Sequence, residues 1–128
     1  MAVTGIQRLA EAWVQAQLAH EAGTISPLQW KAIFAVQNLA FRESPDLLWQ
    51  VVLAVVRINP PLGVQGALAA GPLEDLIQDF GAEVVDRITS EAANNPAFAQ
   101  LLPFVWIPKS DDPITKRFIE LGCDVVAT

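Results

Sequence analysis

The sequence predicts an all-α protein, a compact array of seven or eight short helices packed as antiparallel helical hairpins. Three observations carry that expectation: the placement of proline, apolar residues at helical spacing, and the lack of hairpin-turn signals. Five times a residue able to cap a helix stands directly before Pro: Ser26-Pro27, Ser44-Pro45, Gly71-Pro72, Asn95-Pro96 and Asp112-Pro113. Pro at the first helical position loses nothing, because its missing N–H has no partner there and its fixed φ suits the helix. Ser, Asn or Asp before it can accept from the free amides of the first turn. No Asn-Gly or Asp-Gly pair marks a β-hairpin, and "FVWI" (104–107) is the one extended segment, alone and therefore without a sheet.

Element by element, Thr4 and Gln7 have capping-box spacing, and Ile6, Leu9, Ala10, Trp13 and Val14 make one helical face. Ser26 and Gln29 repeat the box for a second helix carrying Leu28, Trp30, Ile33, Phe34 and Val36. The third, 45–58, is apolar almost all round, which places it at the centre of the core. "INPPLG" (58–63) breaks the chain, and 64–70 forms one short helix. A helix over 72–80 follows, ended by Gly81, and another over 82–94 turns Val84, Val85, Ile88 and Ala92 inward. Glu83 and Arg87 stand at i,i+4 in the favourable order on its outer side. A short helix over 96–102 is stopped by Pro103, and a last one over 113–121 by Gly122. Uneven helix starts weaken a regular solenoid, although a compact HEAT-like stack of helical pairs fits the pattern too.

The 128 residues suit one domain, 1–128. A hydrophobic fraction of 52% with 17% charged residues excludes intrinsic disorder. The longest apolar stretch, 47–58, contains Gln50 and Arg57 and falls short of the ~20 residues that span a bilayer. The N-terminus shows no apolar signal-peptide core, so the expected location is cytoplasmic. One Cys (Cys123) and one His (His20) leave no intramolecular disulfide, no thiol metal site and no imidazole cluster, and no cofactor is expected. A formal charge of −6 argues against nucleic acid and membrane surfaces as partners and favours basic ones.

Candidate chemistry concentrates in "AAGPLEDLIQDFG" (69–81). Glu74 and Asp75 are paired carboxylates, the arrangement that divides acid and base roles in some enzymes. Yet Leu73, Leu76, Ile77 and Phe80 form one stripe, which puts Asp75 and Asp79 on the solvent side and Glu74 at the border. With Gly71 as cap and Pro72 as first residue, Glu74 reaches back to the cap amide, and Gly81 ends the helix. These four positions read as structural capping. Glu74, Asp75, Asp79, Glu83 and Asp86 arrive before any basic residue, and form either a solvated face or a docking surface for a basic partner. Their spacing does not match a calcium loop. His20 reads as a helix-end cation, Cys123 as inert, and the tryptophans at 13, 30, 49 and 106 as core. There is no P-loop, dinucleotide fingerprint, HExxH or GxSxG motif.

Pro45 and Trp49, "AAGPLEDLI" with Gly81, then Ile88, Ala92, Phe98, Leu102 and Val105-Trp106 resemble a family of small bacterial proteins known as a domain of unknown function. The resemblance covers about residues 44–107 and implies an all-helical fold. It brings no activity, cofactor or catalytic residue.

Three functional expectations follow. One is an acidic protein-binding module without catalytic activity, such as a bacterial immunity or inhibitor protein docking a basic partner through 74–86. The second is a small enzyme or ligand-binding protein with a pocket between helical hairpins near Glu74. The third is a self-associating structural protein, a homodimer formed through its Trp-rich helices.

Overall fold

Burial decides which helix sits in the middle. In the computed structural model, which describes residues 5–126, α3 (Pro45–Ile58) buries Leu48, Trp49, Val51, Val52, Ala54 and Val55. It packs against α1 (Gly5–Glu21), α2 (Pro27–Phe41), α4 (Leu62–Leu68) and α5 (Glu74–Asn94), so it is the central helix its composition predicts. The chain is all-α apart from one very small sheet.

The caps divide by chemistry. Ser26 accepts from the Gln29 N–H at 3.2 Å while the Gln29 side chain accepts from the Ser26 N–H at 2.9 Å, a complete capping box. Ser44 precedes Pro45 as expected but makes no side-chain cap bond. Asn95 and Asp112 cap α6 (Pro96–Ala99) and α7 (Pro113–Glu120) through Phe98 N–H and Ile114 N–H. Thr4, the expected cap of α1, lies outside the described residues. Of α2's predicted apolar face, Ile33 and Val36 are buried, whereas Leu28 and Phe34 are exposed.

Gly71-Pro72 is not a helix start. Helical backbone runs through it: Ala69–Leu73 is a π-turn joining α4 to α5, with Leu68, Ala69 and Leu73 all in the right-handed helical region. Pro72 explains the wide turn. A proline inside a helix withholds one N–H donor, and a π-turn moves the bonding one residue on. The Glu74 N–H accordingly reaches the Ala69 carbonyl, five residues back. The local signal of Gly71 as cap and Pro72 as first residue is overridden because Pro72 and Leu73 are buried in the continuing helix.

At Phe80 and Gly81 the expected boundary does fall, as a kink rather than a stop. The expected helix 82–94 is the second half of α5, and the expected 72–80 is its first half with 72–73 in the π-turn, the two joined across a kink at Phe80 (φ −133°, ψ 24°). A Cβ on Gly81 would lie 3.2 Å from Phe118 Cε2 and 3.5 Å from Ile114 Cγ2. The glycine is where α7 closes onto α5, and its missing side chain makes room for the Phe118 ring.

Past α6 and a 3₁₀ turn at Leu102–Phe104, which replaces the predicted helix to 102, the chain becomes extended. Strand β1 (Trp106–Pro108) pairs in parallel with β2 (Asp124–Val126), in the register Trp106–Asp124, Ile107–Val125, Pro108–Val126. So "FVWI" does find a partner, through α7 as the crossover. Gly122 (φ +112°) lets the chain turn out of α7: its N–H bonds Ile119 C=O, and Cys123 N–H bonds Phe118 C=O. That paired closure delivers Asp124 to Val105, whose carbonyl accepts the Asp124 N–H at 2.9 Å.

Candidate partner-binding face

Glu74 and Gln78 stand one turn apart on α5 and hold one residue between them. Glu74 Oε1 accepts from the Trp106 N–H at 2.8 Å, and Gln78 Nε2 donates to the Trp106 carbonyl at 2.8 Å. The i,i+4 pair satisfies the side of β1 that faces α5, while Val105 bonds toward β2. Glu74 therefore does not reach back to a cap amide: there is no helix start at Gly71, and its carboxylate is spent on the strand. Replacing Glu74 by Ala is expected to cost about 1–2 kcal/mol, and by Gln, which keeps an acceptor oxygen, about half that. Chemical denaturation of both variants checks the order, and an Ala variant as stable as the parent would remove the clamp.

The other acids part company. Asp75, predicted to face solvent, is half-buried at a slot where α5 meets α1 and α2. Its carboxyl is held above the usual range, first by burial, then by the like charges of Asp79 and Glu74. Asp86 bonds the Arg117 guanidinium of α7 at 2.8 Å. Arg87 does not pair with Glu83 in the expected i,i+4 fashion but crosses to Asp46 on α3. Asp79 and Glu83 are exposed and carry no ion pair among the described residues. Of the five carboxylates, Glu74 and Asp86 are engaged within the fold, Asp75 lines the slot, and Asp79 and Glu83 stand exposed for a partner.

Asp79 lies on the rim of the larger opening, a cleft of about 540 Å³ between α5 and the β1–α7 segment. Ile77, Ile107, Pro108 and Phe118 supply its apolar surface. Gln78, Asp79, Ser110, Asp112 and Thr115 supply the polar one, and no Lys, Arg or His lines it. Its volume falls within the range of small-ligand pockets. Neither this cleft nor the slot includes Glu74 in its lining. Reading the sequence missed the α7 wall, because 79 and 112 meet only through the β1–α7–β2 closure. Gln78 was legible in principle, as a second polar group one turn from Glu74.

Elsewhere, no group of three or more His, Cys, Asp or Glu among the described residues is placed to hold a metal. Burial pushes the Cys123 thiol up to about 12, so it stays protonated and unreactive near neutrality. His20 meets the edge of Trp30 at 5.4 Å, and Trp30 stacks on Phe34 at 5.6 Å. Trp13 and Trp49 are core, but Trp106, expected there, is 57% exposed because β1 turns its backbone, not its ring, toward α5. No helix among the described residues is long and apolar enough to cross a membrane.

The fold and this face define a small all-α domain with an acidic cleft between its longest helix and a C-terminal β–α–β closure. The chain belongs to a family of unknown function, DUF6869, whose model matches residues 18–122. That match takes in α5, the cleft and both strands' approach, and is wider than 44–107. No curated protein and no solved structure matches the chain.

Proposed function

We propose that the protein is a bacterial, cytoplasmic protein-binding module without catalytic activity, which docks a basic partner at the α5–α7 cleft. An immunity or inhibitor protein is the type of module that fits. The carrying observation is the cleft itself: an apolar floor, the unpaired Asp79 on its rim, Glu83 one turn further along α5, and no cation in the lining. A partner's Lys or Arg lays its hydrocarbon stem on Ile107 and Phe118 and its charged end against Asp79, which removes apolar area from water without burying an unpaired charge. The formal charge of −6 steers such a partner toward the domain.

The test begins with capture from the native host at low ionic strength, followed by calorimetric titration of the purified partner. The Asp79→Lys/Glu83→Lys variant is expected to bind at least about tenfold more weakly, with an unchanged melting temperature. Raising the salt should weaken the parent but hardly affect the variant. A basic partner that binds parent and variant alike would remove this reading.

A further inference from the structure

The slot beside the π-turn is a second opening, of about 80 Å³, lined by polar side chains that make no side-chain hydrogen bond among the described residues. Trp13 is only 2% exposed and lines it. Its indole N–H donates to no acceptor among the described residues, yet no polar side-chain atom there is both sealed from solvent and unpartnered. The N–H must then reach solvent, and the slot is the opening its ring lines. Half-buried Gln17, exposed Gln37 and half-buried Asp75 line the same space without side-chain hydrogen bonds among the described residues, with Ile33 and Val36 as apolar wall. A ligand that supplies an acceptor there takes the place of the water that the N–H meets in the open slot.

We propose that this slot binds an ammonium group with a carbonyl beside it, as in the α-amino end of a peptide whose first residue is small. The Asp75 carboxylate accepts from the ammonium, the Trp13 N–H donates to the neighbouring carbonyl, and the two Gln amides complete either side. Charge supports a cation here, because Asp75 is crowded by Asp79 and Glu74 and its carboxyl is held high by burial and those neighbours. Size supports a small group, since 80 Å³ is room for about two or three waters. The slot lies apart from the α5–α7 cleft, so the inference goes beyond the docking reading and stands or falls separately.

Small molecules test it without any partner. Glycinamide carries both groups, n-propylammonium only the cation, and propionamide only the amide. Each is titrated at neutral pH while the Trp13 indole N–H resonance, assigned with a Trp13→Phe variant, is followed by NMR. Glycinamide should shift that resonance saturably with a millimolar Kd, n-propylammonium should bind several-fold more weakly, and propionamide about tenfold or more. Asp75→Asn should weaken glycinamide at least about tenfold. Should that variant not fold, Gln17→Ala/Gln37→Ala serves instead, with an expected loss of about threefold. No saturable shift up to about 50 mM glycinamide, propionamide binding as well as glycinamide, or full affinity in the substituted protein would each overturn the proposal. Such a failure leaves the Asp79/Glu83 result on partner binding untouched.

Discussion

Replacing Phe98 by Ala should lower the stability of this domain by about 3–5 kcal/mol, and its melting temperature by about 10–20 °C. Phe98 is fully buried, and its ring meets the Trp49 indole edge-on at 5.4 Å and 85°. Truncation removes the transfer free energy of the ring, the edge-to-face contact and the packing around it. The effect is amplified by where the ring sits. Helix α6 has four residues, too few to hold a helix by hydrogen bonding alone. It is fixed by the Asn95 cap, whose Oδ1 accepts the Phe98 N–H at 3.3 Å, and by Phe98 itself. Losing the ring frees α6 from α3 and loosens the chain that leads to β1. Phe104, six residues on and 62% exposed, is the control, and Phe104→Ala should stay within about 0.5 kcal/mol. Thermal and urea unfolding followed by circular dichroism read both. Similar losses from the two substitutions would mean that α6 does not anchor to the core.

What could be read in advance was whatever is decided within one turn of chain. Ser26, Asn95 and Asp112 cap the helices they precede because cap, proline and first turn lie within four residues. Helix α3 could be placed at the centre because its own composition is apolar almost all round. Gly71-Pro72 carries a similar local signal and means something else. There the helix enters from α4 already formed, and burial of Leu68 and Leu73 on both sides outweighs the break. The same limit hid the strands. Trp106 and Asp124 are eighteen residues apart, and their pairing depends on α7 folding between them. The acidic face was half legible for this reason. Its residues could be listed, but Glu74 bonding Trp106 and Asp86 bonding Arg117 are made across 32 and 31 residues. Which acids stay free is a property of the closure.

Gly81 separates the local reading from the tertiary one. A glycine that closed a helix as a left-handed cap would have a positive φ, and Ala in its place would cost about 1 kcal/mol. Gly81 has no positive φ, and what it lacks is space: Phe118 Cε2 stands 3.2 Å from where its Cβ would be. Alanine there gains about 0.5–1 kcal/mol of helix preference, which roughly offsets the few tenths of an ångström that Phe118 must yield. Gly81→Ala should therefore be nearly neutral. Gly81→Val brings two further methyl groups against Phe118 and Ile114, with β-branching inside a helix, and should cost about 2–3 kcal/mol. Helix α7 cannot simply rotate away, because Phe118 is buried and Arg117 is tied to Asp86 at 2.8 Å and to Thr89 at 3.4 Å. Urea unfolding gives the two free energies. NMR shifts on α7 and Ile107 show whether valine pushes the cleft wall outward, and partner binding should weaken with it. An alanine variant as damaged as the valine one would restore Gly81 to a backbone role, and two neutral variants would mean that α7 rests on α5 more loosely than the Phe118 contact allows.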